Sequence, residues 1–217
     1  AGQTNLFAGL LVVGLNTTTN ADAETAGALD VVGGVTTVGE ALIVGRSNGY
    51  TNTAASARVS RLRMTGGELS VPTLVLARVL NAAGINTAPE AELAGGVLTA
   101  ANPVLVAEGN NTFGTLKLSG GTLVAPTIQR GGGQGTLIFD GGAFRPSGVD
   151  QWLNNLSGVQ VAAGGAHFDL SQASVYVVSL ALSGDESDGG LTKTGAGKLT
   201  LNAKQQYGGP TLVSEGT

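Results

Sequence analysis

The side chains able to do acid–base, nucleophilic or metal chemistry are few: 15 Asp and Glu, 11 Lys and Arg, one His and no Cys. Without cysteine there is no thiolate zinc site, no disulfide framework and no cysteine nucleophile. His167 is the sole histidine, so a multi-histidine metal site is excluded and a Ser-His-Asp triad would hang on it alone. No Gly-x-Ser-x-Gly elbow supplies a nucleophile. Glycoside hydrolysis needs two carboxylates on one face. Asp140, Asp150, Asp169, Asp185, Glu186 and Asp188 are the candidates in the second half. Asp140 and Asp169 fall on opposite sides of the glycine pairs beside them, so they read as turn-forming aspartates at different corners. Asp185, Glu186 and Asp188 lie close enough together to suggest a calcium ligand set. They lack the turn glycine and distal Glu of an EF-hand, and the favoured reading is a solvated loop. Gly132–Phe139 imitates a calcium-binding nonapeptide, but Leu137 stands where the ligand Asp belongs. The positive charge gathers in Arg46, Arg58, Arg61, Arg63 and Arg78. Alternation puts Arg61 and Arg63 on one outward face, where the alternatives are contact with an anionic glycan and plain edge protection, the latter preferred.

The elements that must position these residues follow from a repeat. Gly-Gly pairs recur at Gly66-Gly67, Gly95-Gly96, Gly120-Gly121, Gly141-Gly142, Gly164-Gly165 and Gly189-Gly190, spaced by 29, 25, 21, 23 and 25 residues. Apolar residues alternate with polar or small ones around each pair, as in Leu116-Lys117-Leu118, which is the period of a half-buried strand. The doubled glycine supplies positive φ at a tight corner. Each repeat therefore reads as strand, glycine corner, strand, loop. Propeller blades need about 40 residues and carry aromatic signatures. Here the period is shorter and aromatics are 4% of the chain. The reading is an all-β fold, a right-handed parallel β-helix (a β-solenoid) of about nine coils stacked about 4.8 Å apart. It is one elongated domain, with N-terminal coils over 1–45, glycine-marked coils over 46–188 and a last repeat over 189–217. Asp150–Leu156 is the sole candidate for a helical turn.

Composition sets the outer limits. With 36 Gly, 42% hydrophobic and 12% charged residues the chain is too apolar for disorder and has no collagen period. A net charge of −4 gives little attraction for nucleic acid or an anionic membrane. The apolar run Leu6–Leu15 is too short to span a bilayer and reads as a buried strand rather than a signal-peptide core. The chain opens on Ala1 and stops at Thr217 in mid-pattern, as a processed or truncated piece does.

From Gly189 the residues go beyond a generic period. Gly189-Gly190-Leu191-Thr192-Lys193-Thr194-Gly195-Ala196-Gly197-Lys198-Leu199-Thr200-Leu201, followed by Tyr207-Gly208-Gly209-Pro210-Thr211-Leu212-Val213, resembles the autotransporter-associated β-strand repeat of bacterial passenger domains. The departures are Gln205, where the family has Asn, and Pro210. The preceding Val159–Asp169 is similar to the coil before that repeat, and the resemblance extends over about 137–217. It implies a parallel β-helix, export, and a place on the bacterial cell surface or outside the cell. It associates the repeat with secretion and folding, not with catalysis.

The resulting expectation is a non-enzymatic structural or adhesive stalk, without cofactor, whose flat sides meet surface glycans or other cell-surface proteins. The alternatives are a fragment of a carbohydrate-active β-helix, a polysaccharide lyase or glycoside hydrolase, and a fibre subunit that associates end to end through its open coil edges.

Overall fold

A computed structural model describes residues 3–16, 26–47, 59–79, 88–148, 151–153, 155–172 and 174–217, with the backbone alone at 151 and 152. These residues form 21 strands and no helix, and every strand pairing is parallel. Strands pair with the equivalent segment one turn of chain later. Arg61–Met64 meets Glu90–Leu93, which meets Thr115–Leu118, and Phe113–Leu118 continues the series to Gln134–Phe139. The main sheet runs nine strands deep from Thr4–Phe7 to Thr211–Val213. A second sheet stacks Leu11–Asn16, Ala41–Ser47, Thr73–Val79, Val104–Val106 and Ile128–Arg130, and a third stacks Gln151–Leu153, Val175–Val178 and Lys198–Leu201. The fold is a parallel β-helix.

Period-two alternation sends every other side chain inward, and parallel register piles like on like. One interior column is Val31, Met64, Leu93, Leu118, Phe139 and Val161. Another is Leu69, Leu98, Leu123, Phe144 and Phe168, all buried. Full burial of each such side chain contributes about 1.5 to 3 kcal/mol before chain entropy. The columns widen into an aromatic cluster toward the C-terminal coils, where the rings of Phe139 and Phe168 lie 5.2 Å apart and those of Phe144 and Tyr176 5.6 Å apart.

At the glycine pairs the structure refines the expected corner. Gly66-Gly67, Gly95-Gly96 and Gly120-Gly121 lie inside single long strands, Arg61–Val71, Glu90–Ala100 and Phe113–Ala125. The chain bends there through register shifts without leaving the sheet. Gly141-Gly142, Gly164-Gly165 and Gly189-Gly190 instead separate two strands. The second glycine carries the positive φ in every pair but one, Gly141 taking that role in the fourth. Two further pairs join the series, Gly33-Gly34 and Gly208-Gly209.

Two other expectations change. Gln151–Leu153 is a strand paired with Tyr176–Val178, so the expected helical turn is absent from the described part of Asp150–Leu156; the ladder and the burial of Leu153 outweigh a local helical tendency. Asp150 itself lies outside the described residues. The run Leu6–Leu15 is not one buried strand. It splits between Thr4–Phe7 and Leu11–Asn16 on two sheets, and only Val13 is buried, while Leu6 is 73% exposed. Among the described residues these two strands pair on one side only, with Val35–Val38 and Ala41–Ser47.

The second sheet carries its own column of left-handed backbone: Gly14, Gly45 and Ala77 are in register, and Ala107 follows in the next coil. Ala77 and Ala107 adopt φ of 56° and 58°. An L-residue there costs about 1–2 kcal/mol, and glycine's extra unfolded-state entropy returns about 0.5–1. Ala77→Gly is therefore expected to raise stability by up to about 1 kcal/mol, read as a higher urea midpoint at unchanged slope.

Candidate functional site

The same register that buries the apolar columns lines up ionisable groups outside. Arg61 and Arg63 stand opposite Glu90 and Glu92 in the next coil, and Lys117 stands opposite Glu92 in the one after. Arg61 approaches Glu90 at 3.6 Å and Arg63 approaches Glu92 at 3.3 Å, all but Glu92 about half exposed. Ser119 donates to Glu92 at 2.8 Å. Lys117 pairs with Asp140 at 2.8 Å. That hydrogen bond, helped by the nearby carboxylates and opposed by burial, holds the Lys117 ammonium above its ordinary pKa. Its partner Asp140 is held below the usual carboxylate range, first by Lys117 and then by the Gly164 N–H, again against burial. The side chains enclose a shallow recess of about 450 Å³ lined by Arg61, Arg63, Glu90, Glu92, Thr115 and Lys117. The structure thus brings together Arg61 and Arg63 as expected, and adds two glutamates that neutralise them.

The remaining arginines go elsewhere. Arg78 makes a two-pronged pair with Glu108 at 2.7 and 2.9 Å on the second sheet, and Arg46 sits in register with Arg78. Arg58 lies outside the described residues. Asp140 and Asp169 do not meet as an acid pair. Asp169 is engaged by Arg145 at 2.7 Å and by the Ser171 N–H, bonds that overcome burial and lower its pKa. His167 is half-buried on the outward column between Ala143 and Thr192.

The acidic loop is pulled apart by its own backbone. Asp185 accepts both the N–H and the hydroxyl of Ser187, at 2.8 and 2.6 Å. Asp188 turns inward, is 7% exposed, and accepts three backbone N–H groups: Gly190 at 2.8 Å, Gly208 at 2.6 Å and Gly209 at 2.9 Å. Burial alone would raise its pKa; the three N–H donors outweigh it and the carboxyl ends below its ordinary value. Glu186 is exposed. Among the described residues no group of three His, Cys, Asp or Glu is placed to hold a metal. The calcium candidates Asp185, Glu186 and Asp188 therefore do not converge, because two of the three carboxylates are already turned onto N–H and O–H donors. Asp188 is a clasp that ties the Gly189-Gly190 corner to the Gly208-Gly209 corner of the next coil.

Lys193 is the matching device on the other side of this coil. It occupies an interior position directly over Phe168, is 1% exposed, and donates from Nζ to the carbonyls of Gly195 and Glu215 at 2.5 and 2.6 Å. Burial lowers its pKa, against a smaller opposing effect of Glu215. Lys193→Met keeps the buried stem but leaves those carbonyls without a donor. It is expected to lower stability by about 2 kcal/mol, with faster amide exchange confined to 191–217.

Residues 191–217 match a family model, passenger-associated-transport-repeat. The match begins one residue after the Asp188-clasped corner and contains Lys193 with both of its acceptors; it does not extend over 137–190. No curated protein and no solved structure matches the chain. Residues 191–217 are therefore similar to a repeat of autotransporter passenger regions, and they continue the parallel stack through the pairing of Leu191–Lys193 with Thr211–Val213.

Proposed function

We propose that this chain is a stalk segment of an autotransporter passenger, a stiff non-enzymatic rod that stands outside the cell and presents its flat sides for adhesion. One observation carries the reading: ionisable groups of the outward faces are tied from coil to coil, in Arg61–Glu90, Arg63–Glu92, Arg78–Glu108, Lys117–Asp140 and Arg145–Asp169. Each pair bridges neighbouring coils along the axis, a pattern suited to holding a stack in register. The passenger repeat at 191–217 supports the surface setting.

The experiment is a paired one. Beads coated with the purified chain are scored for attachment to glycan-bearing cell surfaces, and the same preparation is incubated with soluble polysaccharides and assayed for new reducing ends and unsaturated uronates. Attachment without cleavage is the expected outcome. Release of either product by the wild-type chain, abolished by Glu90→Gln or Glu92→Gln, would replace the stalk with a carbohydrate-active enzyme.

A further inference from the structure

We infer that the recess over Arg61, Glu92 and Lys117 binds a neutral, hydroxyl-rich ligand, a hexopyranose segment of a surface glycan, and not the acidic glycan that its arginines alone suggest. This rests on the adhesive reading and names the ligand class for it. Every cation in the recess already has a carboxylate within 3.6 Å: Arg61 has Glu90, Arg63 has Glu92 and Lys117 has Asp140. An acidic glycan would have to displace these carboxylates and lie against Glu90 and Glu92, which repel it. A sugar hydroxyl is both donor and acceptor, and is best satisfied between one group of each kind.

The coils supply that alternation. A donor row, Arg61 and Arg63, is followed by an acceptor row, Glu90 and Glu92, and then by a mixed row, Thr115 and Lys117, at steps of about 4.8 Å along the axis. The two Arg–Glu contacts are loose, at 3.6 and 3.3 Å. Exposed ion pairs of this kind contribute little, so hydroxyls can insert between the partners without a large penalty. The recess, about 450 Å³, has the size of a small-ligand site. No aromatic ring lines it, so affinity is expected in the millimolar range and gains strength through multiple contacts along a chain of sugars.

The test is an amide chemical-shift titration of the full chain with five hexasaccharides: maltohexaose, cellohexaose and mannohexaose as neutral probes, and hexagalacturonate and a heparin hexasaccharide as acidic ones. Shifts at Glu90, Glu92, Thr115 and Lys117 with at least one neutral probe, unchanged by added salt, are the expected result. Glu90→Ala/Glu92→Ala removes the acceptor row and frees both arginines. It should weaken the neutral probe about tenfold, the loss of a net hydrogen bond or two, and bring in salt-sensitive binding of hexagalacturonate. Tighter wild-type binding of an acidic probe, or no shift in the recess with any neutral probe, overturns the inference. Neutral-probe shifts on another face overturn it while leaving adhesion standing; attachment lost from coated beads altogether removes the adhesive reading itself.

Discussion

Gly121→Ala is expected to destabilise the chain by about 2 to 5 kcal/mol, whereas Gly158→Ala should leave stability unchanged or raised by up to about 1 kcal/mol. Gly121 sits at φ +62°, and a Cβ built on it falls 2.5 Å from the Gly96 carbonyl oxygen and 2.7 Å from the Gly95 carbonyl carbon. Both contacts are with backbone of the preceding coil, which cannot rotate away. Two independent penalties therefore add: a left-handed conformation for an L-residue, about 1 to 2 kcal/mol, and overpacking against a fixed neighbour, about 1 to 3. Gly158 has open space around it and no positive φ, so alanine there only restricts the unfolded chain. Urea unfolding of the two variants beside wild type measures the difference. Equal effects would mean that the glycine corners are not in contact with one another from coil to coil.

Asp188→Ala is the second large effect, expected at about 3 to 5 kcal/mol and confined to the last coil. Hydrogen bonds to a charged group contribute about 1.5 to 3 kcal/mol each. Here three N–H groups converge on one buried carboxylate, and water recovers part of the loss when it is removed. Amide exchange should accelerate at Gly190, Gly208 and Gly209 and not at Gly96 or Gly121. Asp185→Ala, whose carboxylate is held chiefly by Ser187 in an exposed turn, should leave those rates unchanged. The pH dependence follows from the lowered carboxyl pKa of Asp188. Its stabilisation is fully present above the unfolded value, near 4, and is lost as pH falls through the lower folded value. The last coil should thus fray below about pH 4 in wild type, and Asp188→Ala should fray equally at neutral and acid pH.

Much of the architecture was legible because the repeat is chemical. A doubled glycine next to alternating Leu-x-Leu leaves few folds that can use it, and the columns through Leu69, Leu98 and Leu123 lie where that alternation puts them. Gly33-Gly34 and Gly208-Gly209 escaped notice because they stand 33 and 19 residues from the nearest pair, outside the 21–29 spacing of the others. The Leu6–Leu15 run misled for a different reason: hydrophobicity reports a wish to be covered, and coverage depends on a neighbouring coil.

The charged face was readable and was missed. Arg61 and Arg63 each lie 29 residues before Glu90 and Glu92, the same interval that separates Gly66 from Gly95. Glu92 and Lys117 are 25 apart, as are Gly95 and Gly120. Applying the glycine spacing to the arginines places their carboxylate partners without any structure. The clasp was not legible in that way. Asp188 sits in a run with Asp185 and Glu186 that looks like a solvated or cation-binding loop, and only the return of Gly208-Gly209 one coil later shows where its oxygens are used. Lys193 likewise occupies an inward position that alternation assigns to an apolar side chain, and its acceptors lie two and 22 residues away.

Everything rests on successive coils stacking in parallel register along one axis. Because the chain has no cysteine, spin labels can be placed at will on the outward column Val35, Glu68, Val97, Thr122, Ala143, His167 and Thr192. Dipolar distances between label pairs should grow linearly with the number of coils crossed, by about 4.8 Å each, reaching about 19 Å from Glu68 to His167 and about 29 Å from Val35 to Thr192. Distances that level off or double back as more coils are crossed would contradict the stack.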